Sequence, residues 1–204
     1  MGDLQCAARI IVARHGAADY ESELLSDAGG WLSSLGRAQS HELGESLRGE
    51  RIDRVWTSDM SRAVQTGEIV AARLGVDVVV RTGLREFGVG DAAGTTGDPD
   101  PFAATFAAWL GGDLSARIPG GESGLEVLAR YRAVLDEVAD AHRGESVLVV
   151  SHGGVMCMVL PLLARNLAPD HTRDLPLPNC GVVALEADAD GWVARSWAGR
   201  SVSG

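Results

Sequence analysis

The sequence contains no apolar run near the roughly 18 residues that a membrane-spanning helix requires, and Met1–Ala8 carries neither the basic start nor the long apolar stretch of a signal peptide. The expectation is a soluble, cytoplasmic protein without a membrane partner. Cysteine is scarce. Cys6, Cys157 and Cys180 are odd in number and show no CxxC spacing, which argues against a disulfide framework or a zinc knuckle. They read as small buried hydrophobes in a reducing compartment. Positive charge is also short: 18 basic residues face 28 acidic ones, and the net charge is −10. That excludes nucleic acid as the main partner, since phosphate backbones require clustered basic residues. A small phosphorylated ligand stays possible, because charges farther than about 8 Å are screened and local charge decides. No His or Cys pair stands at metal-ligand spacing, and Gly120-Gly121 and Gly153-Gly154 do not form a dinucleotide fingerprint. No metal and no cofactor is therefore expected.

Apolar residues make up 46% of the 204-residue chain, enough for a continuous core, and no linker or repeat divides it. Residues 1–204 are read as a single domain. Short β-branched runs alternate with helical patterns. Arg9–Ala13, Arg51–Trp56, Val76–Arg81 and Ser146–Val150 read as strands. Helices are expected over Leu35–Leu47, from about Met60 to Leu74 with Gly75 as the stop, and around Phe102–Leu110. Two more follow: an amphipathic helix carrying Leu128, Tyr131, Leu135 and Val138, and an apolar one over Val155–Ala164, shortened or kinked by Pro161. Thr57, Ser58 and Asp59 are candidate caps, and Asp19–Ser34 is read as a long loop. Two closing strands, Cys180–Glu186 and Trp192–Trp197, flank a hairpin turn at Asp188–Gly191. The pattern is α/β with a largely parallel sheet and an antiparallel terminal pair.

Three strand-to-helix junctions gather the reactive residues: Arg14-His15-Gly16, then Thr57-Ser58 with Arg62 one turn into the helix, then Ser151-His152-Gly153. In open α/β sheets the ligand crevice lies beyond the carboxyl ends of the strands. Two histidines and two arginines would meet there, beside helix N-termini that present backbone N–H groups and partial positive charge. Arginine forks bind phosphoryl oxygens, and an imidazole can attack phosphorus. Singly, each residue has an ordinary structural reading; the conjunction points to phosphoryl chemistry. His41 and His142 read as surface or helix-capping residues, and Asn179 as a turn former.

Arg14-His15-Gly16 after an apolar strand resembles the signature of the histidine phosphatase superfamily, the phosphoglycerate mutase-like fold. Four further blocks follow in family order. Thr57-Ser58 with Arg62-Ala63 and Gln65-Thr66 is similar to the TS…RA.QT segment, and Leu84-Arg85-Glu86-Phe87-Gly88 to the L.E…G block. Pro119-Gly120-Gly121-Glu122-Ser123 resembles PGGES, and Val150-Ser151-His152-Gly153 resembles VSHG. The resemblance implies a three-layer α/β/α sandwich and a metal-independent phosphomonoesterase of the histidine acid phosphatase type. Such an enzyme acts on a small phosphorylated metabolite through a phosphohistidine. By resemblance, His15 is the nucleophile, Arg14, Arg62 and His152 clamp the phosphoryl oxygens with the backbone of Gly153, and Glu86 protonates the leaving oxygen and then activates water.

The sequence departs from the family where the mutase-like branch places polar residues after RHG and an Asn six positions beyond the His. Here Ala17 and Ala18 follow, and Glu21 holds the later position. That weakens the case for a bisphosphate substrate and marks Glu21 as a specificity candidate. The alternatives are phosphoglycerate mutase-type transfer and a non-catalytic phosphoprotein-binding module. Intact His15, Glu86 and His152 speak against the second.

Overall fold

A computed structural model describes residues 6–202 apart from 173, 174 and 176. Most of the segment on which the signal-peptide reading rests, residues 1–5, lies outside the described residues. No helix among those described is long and apolar enough to cross a membrane.

The chain runs β1 (Ala8–Arg14), β2 (Ala18–Asp19), β3 (Trp31–Leu32), α1 (Ser34–Ser46), β4 (Ile52–Thr57), α2 (Ser61–Leu74), β5 (Asp77–Val80), α3 (Ala103–Leu110) and α4 (Gly124–Ala141). It continues with β6 (Ser146–Ser151), α5 (Gly153–Leu163), β7 (Val182–Asp188), β8 (Gly191–Trp197) and β9 (Arg200–Ser201). The seven-stranded sheet has the order β5-β4-β6-β1-β7-β8-β9. The four strands from β5 to β1 are parallel, and β7, β8 and β9 add the antiparallel edge.

The central strands are apolar at nearly every position because both faces are covered. Ile10, Val12, Val147 and Val149 turn to one face and pack against α3, α4 and α5 through Trp109, Tyr131, Leu135, Met156 and Val159. Ile11, Ala13, Leu148 and Val150 turn to the other and meet α1 and α2 through Leu43, Leu47, Ala63 and Val70. This is a three-layer α/β/α arrangement around a mostly parallel sheet. Each large apolar side chain buried this way contributes on the order of 1.5–3 kcal/mol relative to exposure.

The register fixes the site. Arg14 pairs with Ser151, and Thr57 pairs with Val150, so β1, β6 and β4 end level with one another. The next residues, His15, His152 and Ser58, therefore emerge side by side. α5 starts immediately, with His152 as its N-cap residue in extended conformation. α4 is started by a reciprocal capping box, in which Ser123 Oγ accepts the Glu126 N–H and the Glu126 carboxylate accepts the Ser123 N–H.

Several sequence expectations shift. α2 is not capped by Thr57, Ser58 or Asp59; Met60 occupies the N-cap position without a side-chain bond. Ser58 Oγ instead accepts the Met60 N–H and faces His152. The loop over 19–34 carries a two-stranded ribbon, β2 with β3, held by backbone pairs too short to leave a periodic signal. β5 is trimmed to Asp77–Val80 at the sheet edge, and α5 ends at Leu163, two residues beyond Pro161. Cys180 has a φ of 55° and precedes β7 rather than opening it. Cys6 is exposed, not a buried hydrophobe, while Cys157 and Cys180 are partly buried free thiols.

Candidate active site

His15 leaves β1 with its backbone pinned on both sides. Its N–H donates to Ser151 O at 2.9 Å, and its carbonyl accepts from Asn179 Nδ2 at 3.0 Å. The ring is 5% exposed. Nδ1 lies 2.7 Å from Gly16 O, a pure acceptor, so Nδ1 carries the hydrogen. Nε2 is then the bare nitrogen, and it accepts from Arg62 Nε at 3.0 Å. Burial, with Arg62 beside it, lowers the His15 pKa from 6.5 to about 3. The imidazole is thus neutral across the physiological range, with its lone pair on Nε2. Gly16 is required sterically: a Cβ there would stand 2.5 Å from Gly36 O.

Arg62 lies in the first turn of α2 and is 6% exposed. The loop between β2 and β3 covers it. The Tyr20 ring centroid is 5.9 Å from the guanidinium carbon, and Gly29, at φ 64°, leaves no room for a Cβ beside Nη1. His152 is fully buried, its ring centroid 5.2 Å from that of His15 and its Nε2 2.9 Å from Ser58 Oγ. Burial and the neighbouring Arg62 push its pKa well below the ordinary value, which favours the neutral ring. The fixed positive charge of the site therefore comes from Arg14 and Arg62. Arg14 donates from Nη1 to Leu177 O at 2.7 Å and lies against Gly153, where a Cβ would approach its Nε to 3.0 Å.

Arg14 Nε, Arg62 Nη1 and His152 Nδ1 are buried polar atoms without a protein partner. Buried polar groups are almost always bonded, and such exceptions concentrate at binding sites. Here all three belong to side chains clustered about His15, and two are guanidinium donors.

Glu86 reaches the same place from an irregular segment. Its carboxylate accepts from Gly154 N at 2.8 Å and Val155 N at 2.6 Å, the first turn of α5, and from Phe87 N at 3.2 Å. Desolvation raises its pKa against the lowering effect of those three N–H groups and of Arg62. A carboxyl held this way is biased toward retaining a proton while lying at a positive helix end. Arg62 and Glu86 line a cleft of about 410 Å³, with Met60, Arg85, Phe87 and Thr82 on its walls.

The structure thus brings together Arg14, His15, Arg62, Glu86, His152 and Gly153, all singled out from sequence. Glu21 is exposed and lines a neighbouring cavity of about 730 Å³ built from the 18–29 loop, not the cleft beside Glu86. Sequence reasoning missed Ser58 as the partner of His152, Asn179 as the donor to the His15 carbonyl, and the Glu122–Arg130 pair beside Glu86. The one signal for Glu122 was its place in the Pro119–Ser123 block.

His142, Asp53 and Glu145 are the group of potential metal ligands that stands out among the described residues. Their geometry speaks for a brace instead. Trp56 Nε1, which can only donate, bonds His142 Nε2 at 3.2 Å. Nδ1 therefore carries the hydrogen and directs it at Glu145 Oε2, 2.8 Å away, with Asp53 Oδ2 at 3.4 Å. His41 is exposed, as expected for a surface residue.

Comparison with known proteins agrees with this geometry. The chain is 30% identical over 196 residues to the probable phosphoglycerate mutase GpmB of Yersinia enterocolitica, covering 93% of this chain and 89% of the relative. Among solved structures it superposes on a mycobacterial glucosyl-3-phosphoglycerate phosphatase with a TM-score of 0.77 and 27% identity, covering 94% of this chain and 99% of that one. YhfR of Bacillus stearothermophilus gives a TM-score of 0.78 at 25% identity, over 95% and 98% of the two chains. The family model for the histidine phosphatase superfamily, branch 1, matches residues 10–199, and with the junction residues placed as described the chain belongs to that superfamily.

Proposed function

We propose that the protein is a phosphomonoesterase that hydrolyses a small phosphorylated metabolite through a phosphohistidine on His15. The observation that carries this reading is the state of His15: Nδ1–H is fixed on Gly16 O, and a neutral Nε2 lone pair faces Arg62. In the first step Nε2 attacks phosphorus and the ester P–O bond breaks. The leaving oxygen takes the proton held by Glu86 and departs as an alcohol. In the second step the Glu86 carboxylate takes a proton from water, the water oxygen attacks phosphorus and the N–P bond breaks. Phosphate and neutral His15 are regenerated.

Arg14, Arg62, His152 and the Gly153 N–H hold the phosphoryl oxygens, since this transfer depends on positioning and charge neutralisation. The phosphoryl oxygens compete with Nε2 for the Arg62 Nε–H, so substrate binding itself frees the nucleophile. The named activities of the relatives divide between mutase and phosphatase. Hydrolysis is favoured because Ala17 and Ala18 offer no polar side chains for a second phosphate.

His15→Ala should reduce turnover of an aryl phosphate by several orders of magnitude, as removal of a covalent nucleophile does. It should also abolish an acid-labile, base-stable phosphoenzyme in rapid-quench experiments with labelled substrate. Label on His152, or continued turnover without a phosphohistidine, would overturn the reading.

A further inference from the structure

Glu86 sits in a stretch with no strand or helix of its own. A single turn over Thr82–Leu84 precedes it, and the backbone from Arg85 to Val89 is irregular. An acid that must place a proton on a leaving oxygen has to be held to within about 0.5 Å. The carboxylate is held by α5, but that does not fix the backbone it springs from.

One side chain does. Arg130, on α4, donates from Nη1 to Gly83 O at 2.9 Å and to Arg85 O at 2.8 Å, and from Nη2 to Glu86 O at 3.2 Å. Its other edge forms a two-point pair with Glu122, Nε to Oε1 at 2.6 Å and Nη2 to Oε2 at 3.0 Å. Glu122 Oε2 is also 3.4 Å from the Gly88 N–H. One guanidinium thus gathers three carbonyls on the approach to Glu86, and its partner carboxylate reaches the amide two residues beyond. The pair is largely buried, with side-chain exposures of 23% and 30%. A lysine could not replace the arginine, because the contacts use the planar fork. α4 is anchored by its capping box at one end and by Tyr131, Leu135 and Val138 in the core along its length. The acid is thereby referenced to the rigid scaffold from two directions, α5 at its carboxylate and α4 at its backbone.

From this geometry we infer that Arg130, held by Glu122, is a positioning residue that sets Glu86 for proton transfer to the leaving oxygen. The inference rests on the acid role given to Glu86 above. The test compares an activated aryl phosphate, whose leaving group needs little protonation, with an alkyl phosphate, whose leaving group needs it fully. Three variants are measured alone and combined: Glu86→Gln, Arg130→Lys and Glu122→Gln. Glu86→Gln should slow the alkyl ester by about 10²–10⁴-fold and the aryl ester far less. Arg130→Lys should show the same split, about tenfold on kcat for the alkyl ester with little change in KM. In the Glu86→Gln background it should add less than about twofold, because both changes act through one group. Glu122→Gln keeps the shape of the carboxylate and should give a smaller split of the same kind, so it carries the test if Arg130→Lys folds poorly.

Equal losses on both esters for Glu86→Gln would remove the acid role and the inference with it. A clear split for Glu86→Gln, joined to equal losses or full additivity for the Arg130 and Glu122 variants, would overturn the inference alone. A change confined to KM would do the same, since it would mean that Arg130 binds substrate directly from the cleft wall.

Discussion

The two sides of the candidate site are built differently. On the side proposed to hold the phosphoryl group, Arg14, His15, Arg62 and His152 stand at ends of central strands or starts of helices, in a region where Ile10, Val12, Val149 and Val150 are fully buried. On the side proposed to face the leaving group, Arg85, Phe87 and Asp27 come from irregular segments, and Tyr20 and Leu24 of the adjoining loop are 59% and 47% exposed. The first side is fixed by sheet register and cannot move without disturbing the core. The second is fixed by a few side-chain bonds, such as Asp27 Oδ1 to the Val89 N–H. Under the proposed function this difference would separate the reaction from its substrate: the chemistry would rest on the scaffold, and the choice of ester on irregular segments, whose loop residues can vary more freely than the strand ends.

If this contrast holds, the sharpest losses come from conservative changes on the phosphoryl side. Arg62→Lys keeps the charge but removes the donor from His15 Nε2 and the planar fork behind it. Its kcat/KM should fall by about 10²–10³-fold, the usual result of removing one preorganised donor from a reacting oxygen. Steady-state kinetics on an aryl phosphate reads this directly. A loss under tenfold would mean that the buried pocket is no more exacting than the loop side.

The phosphoryl side should also dominate the pH dependence of stability. The His15 pKa is lowered by burial from 6.5 to about 3, so below pH 6.5 the unfolded chain takes up a proton that the folded chain refuses until about pH 3. The unfolded state binds more protons throughout that window, and stability therefore rises with pH across it and is lost as pH falls. His15→Gln removes the His15 share of this linkage and leaves that of His152 in place. Between pH 7 and pH 4.5 the variant should retain on the order of 1–3 kcal/mol more of its stability than the wild type. Urea unfolding at the two pH values measures the difference, and parallel losses would show that the His15 imidazole does not contribute to the titration.

How much could be read from the sequence follows the same division. His15 and His152 each follow a strand with a clear apolar run, and Ser58 follows the shorter Val55-Trp56 end of β4, so a parallel α/β reading places all three at one end of the sheet. Arg130 could not be found that way. Its contacts with Gly83, Arg85 and Glu86 span 44 to 47 residues, and its helical spacing says only that it is not on the core face. Asn179 reads locally as a turn former because its bond to the His15 carbonyl bridges 164 residues and leaves no local trace. Local preference makes Ser58 a helix cap; its hydroxyl does accept the nearby Met60 N–H, but its contact with His152 spans 94 residues and leaves no local trace. The ribbon of β2 and β3 escaped because two residues per strand carry no periodicity. Local patterns encode the side fixed by register; long-range bonds between irregular segments encode the other.

The smallest effect belongs to the loop side. Glu21 is carried by the same 18–29 loop that lays Tyr20 and Gly29 against Arg62, but it points into the neighbouring cavity and is exposed. Its charge should disfavour a second anionic group on the leaving moiety, with solvent weakening that repulsion to the scale of an exposed charge pair. Monophosphate esters with neutral or cationic leaving groups should accordingly outperform phosphoglycerate and sugar bisphosphates. Glu21→Asn should improve kcat/KM for the anionic substrates by about two- to fivefold and leave neutral ones unchanged. Raising the salt concentration should shrink the wild-type preference in the same direction, because the interaction crosses solvent. A wild-type preference for a bisphosphate would break this expectation, as would a Glu21→Asn enzyme with unaltered selectivity. In the latter case the leaving group is selected by the walls of the 410 Å³ cleft, Arg85 and Phe87 foremost, rather than by the loop above it.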